Sequence, residues 1–277
     1  MTTERLVVVL GGGGAKAAAH AGAHRAMLEA RLRPVHYVAT SMGAVFAALF
    51  AGGLTDEAVL ERVAAVRTRD VVVPDPWVLF RGVYRESVLK PGPLRATLER
   101  LVPVRRFEQL RVPLTVTTTD LDSRELMFFG AGGEDAPLLD VLYASCALPV
   151  FYPPAVIGGR RLGDGGLRAV LPIEVALRFA PDLVLAVDVG PGFDEAPALQ
   201  PEGLPPMVQA HSDATAILMA ANAAAELALW RSLPARPPLV YVRPRVERGA
   251  TFRVDRLRRY ADEGHRATAA ALAEWKG

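Results

Sequence analysis

The chain has 277 residues, of which 51% are hydrophobic, and its 32 basic residues nearly balance 30 acidic ones to give a net charge of +2. This composition supports a sizeable core, excludes disorder as the default state, and gives no electrostatic reason to expect a nucleic-acid partner. A single cysteine, Cys146, excludes an internal disulfide and fits a reducing compartment.

The first half of the chain alternates predicted strands and helices. An apolar run at residues 6–10 predicts a buried strand, and residues 15–32 predict a helix. A second strand at 35–40 leads directly into a helix at 41–53. This order predicts an α/β fold of three layers, in which a mostly parallel sheet lies between helices.

The rest of the chain predicts further strands and helices around one irregular stretch. Prolines and aromatic residues mix between 68 and 106, and a long segment without periodicity is typical of a binding element, so we predict a lid or an acyl-pocket wall there. Strands are predicted at 113–121, 125–132, 182–190 and 239–244, and helices at 138–148, 207–232 and from 255 onward. With no internal repeat, the prediction is a single domain over residues 1–277.

No segment of the sequence predicts a signal peptide or a spanning helix. The alanine-rich stretch at 214–230 contains Asn222 and Glu226, and a spanning helix needs about 20 mostly apolar residues. We therefore expect a cytoplasmic protein, with peripheral membrane contact left open.

Four consecutive glycines, at residues 11–14, separate the first strand from the first helix. Gly12 to Ala17 matches a loose dinucleotide fingerprint, but the acidic residue expected about 20 positions later is missing. Lys16 is followed by Ala17 and not by Ser or Thr, so a P-loop is also excluded. What remains is a set of amides at a helix N-terminus, where negative charge is favoured.

Ser41 and Asp164 are candidate reactive residues. Ser41-x-Gly43 is the second half of the nucleophile-elbow motif, with Ala39 in place of its first glycine. Taken alone, a serine before a helix is more commonly an N-cap. Asp164 precedes Gly165 and Gly166 in a predicted tight loop, where an ordinary turn is the simplest interpretation.

In combination and in this order, these segments resemble the patatin-like phospholipase family. Residues 11–30 are similar to the family's oxyanion loop and first helix, and residues 40–53 to its elbow helix. Residues 143–154 are similar to its alanine-serine and proline segment, and residues 162–176 to its aspartate block. The resemblance extends along most of the chain.

The resemblance implies a lipid acyl hydrolase that cleaves carboxylic esters through an acyl-enzyme, with no cofactor or metal. It implies Ser41 as the nucleophile and Asp164 as its base. The amides of Gly13 and Gly14, with Gly12 as a further candidate, would form the oxyanion hole. The implied partner is an acyl-lipid or another ester substrate. The resemblance does not specify the head group, the chain length or the oligomeric state, nor whether the acyl group passes to water or to another acceptor.

Several alternatives stay open. Ala17 and Ala39 replace glycines of the family motifs, and Ala169-Val170 replaces frequent asparagines. The departures at Ala39 and Ala169-Val170 motivate a non-catalytic acyl-lipid or protein binding module on the same fold. His265 follows Asp164 in the order of a hydrolase triad and is the alternative base.

A histidine pair and the glycine loop allow two further interpretations, a metal site and a nucleotide site. His20 and His24 lie four residues apart, as metal ligands on a helix can, but no third ligand is evident and His20 is interpreted as structural. A dinucleotide-binding protein is the third alternative function, weakened by the missing acidic residue.

Overall fold

A computed structural model describes residues 5–77, 84, 86–193, 205–247 and 256–276. One sheet runs through the described part of the chain, in the order β5-β6-β3-β2-β1-β7-β8, and β4 also pairs with β3. Its strands are β1 (Leu6–Leu10), β2 (Pro34–Thr40), β3 (Leu114–Asp120), β4 (Leu126–Gly130), β5 (Ala155–Ile157), β6 (Arg160–Asp164), β7 (Leu183–Val187) and β8 (Leu239–Val242).

Helices cover both faces of this sheet. They are α1 (Ala19–Glu29), α2 (Met42–Ala51), α3 (Asp56–Ala64), α4 (Thr68–Val71), α5 (Pro91–Leu101), α6 (Leu138–Cys146), α7 (Gly166–Ala169), α8 (Ile173–Ala176), α9 (Pro206–Ser232) and α10 (Leu257–Lys276). Short 3-10 helices lie at Gly14–Ala18, Phe107–Gln109 and Leu177–Phe179. The predicted start of the last helix, Asp255, lies outside the described residues.

The strand directions confirm the predicted α/β class with a mostly parallel sheet. The pairs β1–β2, β2–β3, β1–β7 and β7–β8 are parallel, whereas β4 and β6 run antiparallel to β3 and β5 runs antiparallel to β6. Parallel strands covered on both faces need apolar side chains on both. In β1, Leu6, Val8 and Leu10 face one core, while Val7 and Val9 face the other.

The stretch predicted as an irregular insertion is partly helical. Between 68 and 106 the described residues form α4 and the amphipathic α5, which buries Leu94, Leu98 and Leu101. Trp77 and Tyr84 are 59% and 90% exposed. Phe80, also part of the prediction, lies outside the described residues.

Helix α10 crosses α1 at two glycines, with the backbones in direct contact. A Cβ atom on Gly22 would lie 1.7 Å from the carbonyl oxygen of Ala261, and one on Gly264 would lie 1.9 Å from that of Ala19. No other residue fits either position. The crossing holds α10 against the helix that follows the glycine loop.

Candidate active site

Ser41 lies at a strained turn between β2 and α2. Its φ and ψ are 54° and −133°. This positive-φ conformation of a non-glycine residue is strained by an energy of order 1–3 kcal/mol. Gly43 must be glycine, because a Cβ there would lie 2.4 Å from the carbonyl oxygen of Leu10. Although Ser41 occupies the N-cap position of α2, its side chain makes no capping hydrogen bond. The simple N-cap interpretation is therefore wrong.

Asp164 is the last residue of β6, and not part of the tight loop that the sequence predicted. The strand registers explain its position, since Thr40 pairs with Thr117 and Thr118 pairs with Asp164. The end of β2 and the end of the antiparallel β6 therefore reach the same edge of the sheet. Across it, the Ser41 Oγ donates a hydrogen bond to Asp164 Oδ2 at 2.7 Å.

The other carboxylate oxygen of Asp164 is held by its own loop. The Gly166 amide donates to Asp164 Oδ1 at 2.7 Å, and the Thr119 hydroxyl donates to the Asp164 carbonyl at 2.9 Å. Burial raises the pKa of Asp164 to about 6, and the hydrogen bonds from Ser41 and Gly166 act in the opposite direction. Asp164 is thus a stronger base than an exposed aspartate and is still ionised at neutral pH.

The glycine loop offers two amides to this site. Among the described residues, the amides of Gly13 and Gly14 donate to no protein acceptor, and both residues line the same cavity as Ser41. The Gly12 amide instead donates to the Val170 carbonyl at 2.9 Å. This bond removes Gly12 from the candidate oxyanion donors, although the residue still lines the cavity.

His20 supports the glycine loop from below. Its Nε2 lies 2.9 Å from the Gly11 carbonyl oxygen, which can only accept, so Nε2 carries the proton. Burial lowers the pKa of His20 to about 4, and the ring is neutral at physiological pH. This geometry agrees with the predicted structural role.

His24 has partners other than those of His20. Its Nδ1 contacts Asp56, and its Nε2 lies 2.9 Å from the Tyr37 hydroxyl. In the described ranges no group of three His, Cys, Asp or Glu residues is arranged to hold a metal ion. Both histidines instead have protein partners, His20 at the Gly11 carbonyl and His24 at Asp56 and Tyr37.

The alternative base, His265, is engaged elsewhere. It lies on α10, where its Nε2 is 2.6 Å from Glu29 Oε2 on α1. It does not line the cavity that contains Ser41 and Asp164. The geometry gives no support to a triad that uses this residue.

A cavity of about 220 Å³ opens over Ser41 and Asp164. We call its α2–α3–α5 side the apolar end; it is lined by Phe46, Val63, Val66, Leu94, Leu98 and Leu101. On another side, Lys16 and the α9 residues Ser212 and Thr215 add polar atoms. Lys16 is buried, and its Nζ donates to the Gly190 carbonyl at 3.4 Å.

Within the stretch 68–106, where the sequence predicts a lid or an acyl-pocket wall, Leu94, Leu98 and Leu101 line the cavity, whereas Trp77 and Tyr84 do not. Two residues that precede this stretch also line it, Val63 on α3 and Val66 just after that helix. The valines at 59 and 63, one helical turn apart, are the signal that could have indicated this buried face.

Ser145 is a polar contact of the site that no local motif predicts. The only signal for it in the sequence is its place in residues 143–154, one of the segments that resemble the family. Its Oγ accepts a hydrogen bond from the Ser41 amide at 2.7 Å and donates one to the Thr117 carbonyl at 2.7 Å. Its side chain is fully buried.

Comparisons with known proteins identify the class to which this fold and site belong. The sequence model described as patatin-like phospholipase matches residues 8–177, and the chain belongs to that family. An uncharacterized NTE family protein of Mycobacterium tuberculosis is 31% identical over 216 residues, which make up 76% of this chain and 58% of that protein.

A human protein and a solved bacterial structure are also similar to this chain. The human patatin-like phospholipase domain-containing protein 6 is 28% identical over 193 residues, which cover 69% of this chain and 14% of that protein. The crystal structure of VipD from Legionella pneumophila matches 99% of this chain and 67% of its own, with a TM-score of 0.50 and 14% identity. VipD thus shares the fold, and the curated relatives extend well beyond the region they share with this chain.

Proposed function

We propose that this chain is a serine acyl hydrolase that cleaves carboxylic esters of lipids through a Ser41–Asp164 dyad. The observation that carries the proposal is the 2.7 Å hydrogen bond from the Ser41 hydroxyl to Asp164 inside a mainly apolar cavity. Membership of the patatin-like phospholipase family supports a hydrolase that acts on lipid esters.

In the proposed reaction, Ser41 Oγ attacks the ester carbonyl carbon while its proton passes to Asp164 Oδ2. The carbonyl electrons move to the oxygen, where the amides of Gly13 and Gly14 and the positive end of α2 stabilise the negative charge. Collapse of this intermediate breaks the ester bond, and the leaving alcohol takes the proton from Asp164. Water then attacks the acyl-enzyme and gives a proton to Asp164, and Asp164 returns this proton to Ser41 Oγ as the bond to the acyl group breaks and the carboxylic acid leaves.

The apolar end of the cavity is the proposed acyl-chain site. Burying methylene groups of an acyl chain against these side chains contributes about 0.8 kcal/mol each, so an apolar end favours a hydrocarbon chain over a polar group. The leaving alcohol then lies on the side of the cavity with Lys16 and Ser212.

The residues that depart from the family motifs fit this proposal. The Ala39 methyl is fully buried within β2, where it packs into the core. The Ala169 carbonyl accepts a hydrogen bond from the Thr40 hydroxyl at 3.1 Å, beside the nucleophile. These positions are thus filled by ordinary packing and hydrogen bonding.

The decisive experiment is labelling with a fluorophosphonate, followed by peptide mapping and assays on short acyl esters. We expect the label on Ser41, and a loss of turnover of about 10²–10⁴-fold in Asp164→Asn, the range for removal of a general base. His265→Ala serves as the control and should keep wild-type turnover.

Two outcomes would contradict the proposal. A folded protein whose Ser41 is not modified would exclude the nucleophile, and loss of activity in His265→Ala but not in Asp164→Asn would favour the triad. A folded protein that binds acyl ligands without turnover would instead be the non-catalytic module.

A further inference from the structure

Ser145 joins the backbone of the nucleophile to the central strand β3. Its hydroxyl is the acceptor for the Ser41 amide and the donor to the Thr117 carbonyl, each at 2.7 Å. A hydroxyl group can accept and donate at once, which neither an alanine nor a carbonyl group can do. The side chain therefore links two backbone groups that do not bond each other directly.

The Ser41 amide needs such an acceptor because of the local backbone. With φ at 54°, Ser41 lies outside both the strand and the helix, and Ala44 is the next residue whose amide is bonded in the helical turn, to the Ser41 carbonyl at 2.9 Å. A positive φ at a non-glycine residue persists only where the surroundings hold it. The hydrogen bond to Ser145 is a contact that holds this conformation.

Strand β3 pairs with both strands that lead to the dyad, β2 before Ser41 and β6 at Asp164. Thr117, which accepts from Ser145, pairs with Thr40, and the adjacent Thr118 pairs with Asp164. Ser145 thus links the backbone of Ser41 to β3, the strand whose pairing with β6 also fixes the position of Asp164. Helix α6, on which Ser145 lies, is fixed in the core by buried residues on both sides of Ser145, including Leu142 and Cys146.

We infer that Ser145 is a positioning residue, which keeps the Ser41 backbone in the conformation that aligns its Oγ with Asp164. This inference rests on the proposed function for its catalytic consequence, but not for its structural one. Ser145 lines no part of the cavity and acts through Ser41. Its loss should therefore reduce the chemical step and leave substrate binding unchanged.

The test compares Ser145→Ala with wild type, and counts active sites by complete fluorophosphonate labelling. We expect kcat per labelled site to fall about 10- to 100-fold, the effect of orphaning a buried donor, with KM within about twofold. Hydrogen exchange of the Ser41 amide should accelerate by about tenfold or more. A role in folding alone would lower the number of active sites without changing kcat per site.

Thr115→Val is the matched control on the same strand. Thr115 is buried, and its hydroxyl donates to the Ala131 carbonyl and contacts His36 Nε2, at the opposite end of β3 from Asp164. This variant removes a bonded buried hydroxyl of similar size. It should lose stability while kcat per site and the exchange of the Ser41 amide stay at wild-type values.

The inference is overturned if Ser145→Ala keeps wild-type kcat per labelled site, or if exchange of the Ser41 amide does not change. If the wild-type protein itself hydrolyses no ester, the proposed function fails instead. In that case the amide exchange alone decides the inference, since it reports the position of the Ser41 backbone without any turnover.

Discussion

Burial of the Asp164 carboxylate makes it a stronger base, but it also lowers the stability of the folded protein at neutral pH. Burial raises its pKa from 3.8 to about 6, which corresponds to about 3 kcal/mol of unfolding free energy. Because the pKa is higher in the folded state, the folded protein binds the proton more tightly. The contribution to stability is therefore complete below pH 3.8 and is lost as the pH rises through 6.

The acid limb of the activity should follow this titration. Asp164 can accept the Ser41 proton only when it is ionised, so the rate of fluorophosphonate labelling should fall below a midpoint near pH 6. The measurement is the second-order labelling rate between pH 4.5 and 8. A midpoint near 4, as for an exposed aspartate, would contradict a buried base.

Removing the buried charge should stabilise the fold. We expect Asp164→Asn to raise the unfolding free energy by about 1–3 kcal/mol at pH 8, since the amide can still accept from Gly166 but carries no charge. Near pH 4 the gain should nearly disappear, because wild-type Asp164 is then neutral. Urea unfolding at the two pH values measures both effects, and an equal stability of the two proteins at pH 8 would count against the shifted pKa.

Helix α5 should control which acyl chains are accepted. Leu98 faces the apolar end of the cavity, so Leu98→Phe and the larger Leu98→Trp should shorten it. We expect hydrolysis of long-chain nitrophenyl esters to drop at least about tenfold relative to the butyrate ester, in proportion to the methylene groups excluded. The readout is the ratio of kcat/KM for the two chain lengths.

The outward face of the same helix provides the control. Ala96 is exposed on α5, and Ala96→Trp should leave that ratio unchanged. If the Leu98 variants lowered the rates for all chain lengths equally, the acyl chain would not occupy the α5 side.

The contact between α1 and α10 should tolerate no side chain. Gly264→Ala would place a methyl group 1.9 Å from the Ala19 carbonyl oxygen, so the helices must separate, and we expect a loss of about 1–3 kcal/mol or more. Gly92→Ala, on α5 with open space around it, should be neutral or gain about 0.5–1 kcal/mol. Thermal unfolding of the two variants gives the comparison, and an equal effect would refute the tight crossing.

Elements with strong apolar patterns could be predicted from the sequence, and those defined by pairing could not. β1, β2, β7, β8 and α2 were predicted close to their observed bounds, because each is a continuous apolar run that ends in a turn signal. β5 and β6 are three and five residues long and include exposed positions, and pairing defines them, β6 with β3 and β5 with β6. Asp164 was accordingly assigned to a loop.

In the candidate site, too, local motifs could be predicted from the sequence, whereas contacts between distant segments could not. Ser41 and Asp164 were identified through local motifs and a family resemblance, but their contact depends on the registers of β2, β3 and β6. The Val170 carbonyl, which accepts the hydrogen bond from the Gly12 amide, also comes from a distant segment. No local pattern around the glycines can indicate that acceptor, because it approaches only in the folded chain.

For the molecule as a whole, the family match ends before four elements that complete the fold. The match covers residues 8–177, whereas β7 pairs with β1, α9 lines the cavity, β8 extends the sheet beside β7, and α10 packs on α1. The single domain over residues 1–277 stays a prediction. No helix in the described ranges is both long and apolar enough to cross a bilayer.

Truncation tests whether the last helix belongs to the same folding unit. A chain that ends at residue 247 lacks α10 and exposes the buried face of α1, including Ala19 and Ala23. We expect it to lose cooperative thermal unfolding, since an apolar helix face without its partner is returned to water. A truncated protein with a wild-type transition would show that α10 is dispensable.

The crossing of α1 and α10 also has a consequence in time. Gly22 and Gly264 meet in the folded protein, but about 240 residues separate them along the chain, so they leave the ribosome at different times. At about 5–20 residues per second, the first helix waits for its partner for roughly 10–50 s. Ribosome-arrested chains of increasing length should therefore become reactive toward fluorophosphonate only after residue 264 has emerged from the exit tunnel. Until then, a nascent chain carries Ser41 while α1 still lacks its partner helix.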